Sequence, residues 1–209
     1  ARELMPRVPM ADVFIHTTPL AMYGRPIRTS GTPHVTIPRP RNPSRARGVK
    51  GHSLARPIPP WNDPATGTPV MRPGRAFVQA ASLLPLQELV IAADHLVRLR
   101  GGNRGPPIIS LEALRSIARV SHSPGARAAR RALELSHVGA DSRMESLLRL
   151  LLLCYGISGL ELQVEIRDSA ERRIGRFDMA CAARKVIVEY DGEHHRLSDR
   201  QYARDAERL

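Results

Sequence analysis

Ile174–Gly192 reads IGRFDMACAARKVIVEYDG, and the class of fold turns on it. Apolar residues gather in Ile174–Cys181 and again in Val186–Tyr190, two runs of strand length. An acid interrupts each run: Asp178 in the first, and Glu189 in the second, with Asp191 two residues on. Successive side chains along a strand alternate faces, so Glu189 and Asp191 share one face while Val186, Val188 and Tyr190 take the other. Acids inside strands are costly to bury unless they are paired or bound to a cation.

Working outward, Leu160–Ile166 (LELQVEI) alternates like a strand, and Asp168–Arg173 is a polar turn. Ser142–Tyr155 carries a solid apolar run and ends at Gly156, as a helix would. Downstream, Ser198 opens a helix that runs to Leu209. The element order is α-β-β-β-α. Glu145 on the first helix, Asp178, Glu189 and Asp191 are expected to converge as an oxygen-rich site for Mg²⁺ or Mn²⁺. Such a site can activate water and neutralise a phosphodiester. His194 and His195 follow the acidic strand, where one of them would shuttle a proton or contact the scissile phosphate. Arg200 and Arg204, four apart on the final helix, would face phosphates.

Each acid also has a plain structural role open to it, weakest for Glu189, the one acid in the core-like strand VIVEY. Ser142 and Glu145 form S-x-x-E, a capping box, so Glu145 has its own helix to close. Asp191–Gly192 has the composition of a turn, and Asp178 has Arg176 as a possible partner. Cys154, within an apolar helix, is expected in the core.

The rest of the chain is organised by proline and charge. Fourteen of the 18 prolines precede residue 75 and none follows Pro124, so the front is short strands and loops. Thr17 and Thr18 are expected to cap a helix over Pro19–Tyr23, and His34–Ile37 and Val49–Leu54 read as strands. Between those strands lies PRPRNPSRAR (38–47), with Arg39, Arg41, Arg45 and Arg47. It is either a solvated loop or an arm that contacts phosphates. Helices are expected over Leu84–Arg100, over Leu111–Val120 capped by Ser110, and from Ser123–Pro124 to Leu135. The division is 1–76, a basic β-rich module; 77–138, a helical segment; and 139–209, the α-β-β-β-α domain.

The formal net charge is +12 over 209 residues. GC-rich coding accounts for arginine over lysine (only Lys50 and Lys185 are lysine), but not for bases over acids. Residues 1–75 hold 12 bases against 3 acids, and residues 76–209 hold 20 against 17, so the excess sits in front. A polyanion partner is expected, with DNA the first candidate. Aromatics at 4% argue against a stacking platform for single strands. Two cysteines are too few for a disulfide framework, and the longest apolar run, Leu150–Tyr155, is far too short to span a bilayer. No secretory signal is visible, and a cytoplasmic location without membrane partners is expected. There is no P-loop, no G-x-G-x-x-G and no G-x-S-x-G, so no organic cofactor is expected. The chain reads as a fragment at both ends.

Arg143–Leu209 resembles the very-short-patch-repair-endonuclease-like (Vsr-like) family of the PD-(D/E)XK nuclease superfamily. The resemblance rests on MES (144–146), RFDMA around Asp178, VIVEYDGEHH (186–195) and RQYARDAERL (200–209). It implies a restriction-endonuclease-like α+β (α/β) domain with a mixed sheet, and Mg²⁺-dependent cleavage of DNA. It also implies that Asp178 and Glu189 bind metal and that Glu145 is the helix acid of the site. Asp191 stands where many superfamily members place a catalytic lysine, and Lys185, Arg176, His194 and His195 are the candidates to replace it. The front resembles AbiEi-type antitoxins and transcriptional regulators in FIHTTPLAMYG (14–24), HVTIPRP (34–40) and TPVMRPGRAFVQAA (68–81). That likeness implies the alternative function: a regulator that binds DNA or a cognate toxin protein and cuts nothing.

Overall fold

The structure is a computed structural model that describes residues 13–24, 31–43, 45–54, 59, 61–63, 66–99 and 105–191. The chain is mixed α+β and divides into two compact units, Ala1–Val138 and Gly139–Leu209.

In the first unit, β1 (Val13–Phe14), β2 (His34–Pro38), β3 (Lys50–Leu54), β4 (Trp61–Asn62) and β5 (Pro69–Val70) form one mixed sheet in the order β3-β2-β1-β5-β4. β1 pairs antiparallel with β2, as in Phe14 opposite Val35, and parallel with β5, as in Phe14 opposite Val70. β2 and β3 run parallel, from His34 opposite Lys50 to Pro38 opposite Leu54. β2 is buried along almost its whole length, so no polar alternation marks it.

Helix α1 (Thr17–Met22) begins earlier than expected. Its cap position is His16, with no capping side chain, and Thr17 and Thr18 lie inside the helix. The Thr18 hydroxyl is used across the fold instead, accepting the His34 N–H at 2.8 Å. Helix α2 (Pro73–Ala80) starts with proline in the first turn, where its missing N–H costs nothing, and Arg72 before it is held extended.

Helix α3 (Leu86–Val97) follows Pro85, and all ten residues from Glu88 to Val97 are buried, so it forms the middle of the core. Its polar groups are satisfied where they are described. Asp94 Oδ1 accepts the His137 N–H at 2.8 Å, and His95 Nε2 lies 3.0 Å from the Tyr23 carbonyl. Helices α4 (Leu111–Val120) and α5 (Ala126–Leu135) bury only one stripe each, Leu114 and Ala118 on α4 and Ala126, Ala129, Ala132 and Leu133 on α5. Ser110 Oγ caps α4 by accepting the Ala113 N–H at 3.2 Å. Phe14, Ile15, Phe77, Leu89, Ile91 and Leu133 are among the largest fully buried side chains. Each stabilises the unit by about 1.5–3 kcal/mol relative to exposure.

The second unit opens with α6 (Arg143–Cys154), followed by β6 (Glu161–Arg167), β7 (Arg173–Cys181) and β8 (Val186–Val188). These strands pair antiparallel in the order β6-β7-β8. β8 stops at Val188, so Glu189 and Asp191 lie just past its end. α6 buries Glu145, Ser146 and Arg149 and leaves Leu151, Leu153 and Tyr155 exposed. Cys154 is exposed rather than core, while Cys181 is buried. Among the described residues no helix is long and apolar enough to cross a membrane. The expected helix from Ser198 lies outside the described residues, as do His194, His195, Arg200 and Arg204.

The turn between β6 and β7 is built on Asp168, whose Oδ1 accepts the N–H groups of Ala170 and Arg172 at 2.8 and 2.9 Å. Its Oδ2 accepts Arg172 Nε at 2.7 Å. The Arg172 N–H, then the Arg172 side chain, hold this carboxyl below its ordinary value of 3.8. A carboxyl depressed on folding stabilises above its unfolded pKa, and that contribution is lost as pH falls through the lower, folded value. Stability of the second unit should therefore decline below about pH 3.8. Asp168→Asn should flatten that acid limb in a pH series of thermal denaturation, and an unchanged slope would contradict the assignment.

Candidate functional site

Glu145 sits at the third position of α6, where Ser142 Oγ accepts its backbone N–H at 3.1 Å. Its carboxylate turns back and accepts the Asp141 N–H at 2.9 Å through Oε2. This is the reciprocal cap expected of S-x-x-E, shifted one residue toward the chain start. The same Oε2 accepts Gln163 Nε2 from β6 at 2.8 Å. Gln163 has a left-handed backbone (φ 56) inside β6, between the pairs Leu162–Met179 and Val164–Phe177. A non-glycine residue held there costs on the order of 1–3 kcal/mol and is found where surrounding structure demands it.

Asp178 projects from β7, half-buried, and its Oδ2 accepts the Tyr190 N–H at 2.9 Å. That bond ties the segment after β8 to the middle strand, with Glu189 and Asp191 on either side of the tie. Burial pushes the Glu145 carboxyl upward, and the Asp178 charge pushes in the same direction. Hydrogen bonds from the Asp141 N–H, Ser142 and Gln163 hold it down. The Asp178 charge thus acts on Glu145, although strand and helix place the two 33 residues apart in sequence.

Two expected arrangements differ. Arg176 does not pair with Asp178; its guanidinium donates to Asp141 Oδ2 at 2.6 Å. Lys185, a candidate for the missing lysine and expected from its spacing to share a strand face with Glu189, is not on the strand. It occupies the left-handed residue (φ 53) that ends the 3-10 turn Ala182–Arg184, before β8 begins. Glu189, Tyr190 and Asp191 are exposed.

In the first unit, Arg39, Arg41, Arg45 and Arg47 all lie exposed on the connection that carries the chain from β2 back to the start of the parallel β3. A parallel return forces this stretch outside the sheet, so its arginines reach solvent.

The same unit contains a group that sequence reading passes over. His16, His34 and His52 each present a donor nitrogen, and the three atoms lie within 4.8 Å of one another. His34 and His52 stand on neighbouring strands, their rings stacked at 5.1 Å, with His34 Nδ1 3.1 Å from His52 Nε2. The His16 ring lies 5.2 Å from that of His34 and 4.9 Å from that of His52. Burial, with His52 and His34 nearby, pushes His16 down to about 4, and burial also lowers His34 and His52. All three shifts favour the neutral imidazole. Their separation by 18 residues each way matches no ligand spacing motif; the pairing of β2 with β3 brings His34 beside His52, and the pairing of β1 with β2 adds His16.

Compared with known protein families, curated proteins and solved structures, the chain gives no match.

Proposed function

We propose that the second unit is a PD-(D/E)XK-type nuclease domain that hydrolyses phosphodiester bonds of DNA with Mg²⁺ or Mn²⁺. The observation that carries this reading is the hydrogen bond from the Tyr190 N–H to Asp178, which ties Asp178 to the backbone between Glu189 and Asp191, with the Asp178 charge acting on Glu145 of α6. The donors are all carboxylate oxygens, the ligand class of a hard divalent cation. Asp178 and Glu189 would hold the ion, with Glu145 beside them; once bound, it would supply charge neutralisation at the phosphate and a more acidic water.

The remaining work falls to the chain. Gln163 and the Asp141 N–H fix the Glu145 carboxylate in one orientation. The Tyr190 N–H fixes Asp178 in the same way. His194 or His195 would assist proton transfer, and Arg200 and Arg204 would contact phosphates. In the first unit, Arg39, Arg41, Arg45 and Arg47 would grip the DNA backbone, a contact that weakens steeply as salt rises. A cytoplasmic location and DNA as partner belong to the same proposal.

One observation favours a second reading. β8 carries no lysine, and Lys185 is spent in the turn before it. In that reading the unit is a degenerate nuclease fold in a regulator or antitoxin that binds DNA or a toxin. Incubating the full chain with supercoiled plasmid separates the two. Nicking that needs Mg²⁺ or Mn²⁺ and stops with chelator is the expected result. Salt-sensitive DNA binding without any strand breakage would sink the nuclease proposal and favour the regulator.

A further inference from the structure

His16, His34 and His52 belong to three segments, and the carboxylate reading uses none of them. A pair of nitrogens bound at 2.0–2.1 Å in a tetrahedral zinc site stands about 3.3 Å apart. His34 Nδ1 and His52 Nε2, 3.1 Å apart, are already at that spacing. No donor in the trio is further than 4.8 Å from another.

A stacked His34–His52 pair sharing one N–H···N bond would account for two of the rings. It does not account for His16, which is held in place at a cost. Its φ is positive (58, with ψ −124), whereas a residue preceding a helix is ordinarily extended with negative φ. The side chain of Gln79 accepts its N–H at 3.2 Å, and the Gln79 carbonyl lies 3.4 Å from its Nδ1. A carbonyl on one ring nitrogen is the arrangement that orients an imidazole to bind metal through the other.

We infer that His16, His34 and His52 form a binding site for one transition-metal ion of the Zn²⁺ class, with a further coordination position open to water or another ligand. An all-imidazole donor set suits Zn²⁺ and its neighbours and not Mg²⁺ or Ca²⁺, which take oxygen. The ion joins the β1–α1 junction to β2 and to β3, which ends the sheet. His34 is buried while His16 and His52 are partly open, so the ion has a route from solvent.

The test titrates Zn²⁺ into metal-stripped full-length chain by calorimetry, in excess Mg²⁺, alongside Co²⁺ read by its visible absorption. One Zn²⁺ per chain and a Co²⁺ band of low coordination number are expected. His52→Ala, at a partly open position on the outer strand, should keep its circular dichroism and weaken Zn²⁺ by more than about 100-fold, beyond what loss of an outer-shell partner costs, because a direct ligand is removed. Should that variant fail to fold, His16→Gln serves, with the same loss expected. Zn²⁺ should raise the melting temperature of the wild type and not of the variant. Asp178→Asn should retain this Zn²⁺, which separates the site from the carboxylates. Absence of Zn²⁺ binding by folded wild type, or undiminished binding in the histidine variants, would overturn the inference.

Discussion

Asp178→Asn is expected to reduce metal-dependent plasmid cleavage by about a thousandfold or more, a loss of roughly 4 kcal/mol of transition-state stabilisation. The substitution is chosen for what it preserves. Asp178 accepts the Tyr190 N–H through Oδ2, and an amide oxygen of the same shape can accept it too. The tie between β7 and the segment after β8 should survive, so fold and melting temperature should change little. What goes is the negative charge, which a hard divalent cation requires of its oxygen donors. Removing the charge also relieves the repulsion that adds to burial in raising Glu145, so that carboxyl should titrate lower in the variant. Asp178→Ala is the harsher comparison, since it also leaves the Tyr190 N–H without this acceptor, at about 1 kcal/mol. Cleavage within a few-fold of wild type in a folded Asp178→Asn protein would rule out Asp178 as a metal ligand.

Gly125→Ala should lower the stability of the first unit by about 3 kcal/mol, which lowers its melting temperature by roughly 10 °C. Gly125 is the residue before α5, and its φ of −84 suits any amino acid. Adding a methyl there even restricts the unfolded chain, worth about 0.4–1 kcal/mol in the opposite direction. The penalty is steric. A Cβ at this position would sit 2.3 Å from the Val78 carbonyl oxygen, 2.7 Å from the Ser82 nitrogen and 3.0 Å from the Ala81 carbonyl carbon. All three are backbone atoms at the end of α2, so no side chain can swing aside. α5 would have to move away from α2, opening the packing around Ala126 and Ala129. Gly74→Ala is the useful contrast: its Cβ would meet Ile117 Cδ1 at 2.4 Å, but that atom ends a flexible side chain. Thermal denaturation of the two variants should show the larger loss for Gly125→Ala, and an unchanged melting temperature there would refute the backbone clash.

What could be read directly from the chain was whatever short-range chemistry decides. Ser142 and Glu145, three apart, were enough to place the start of α6, because a cap needs only a hydroxyl, a carboxylate and the next turn's N–H groups. Alternation marked β6, and the apolar run around Asp178 marked β7. Asp168 marked the turn between them, since its hydrogen bonds reach no further than Arg172. The strands of the front were harder. β1, β4 and β5 are two residues long, too short for any period to show.

Tertiary structure alone decided the rest. It placed Lys185 in a turn, gave Arg176 to Asp141 and exposed Cys154. It let the Asp178 charge act on Glu145, pressed Gly125 against the backbone of α2, and gathered three histidines that stand 18 residues apart into one cluster. Local sequence determines hydrogen bonds closed within one or two turns. Which distant side chains share a charge, a nitrogen lone pair or a van der Waals contact depends on strand order and helix packing, and those are set by the burial of the whole core.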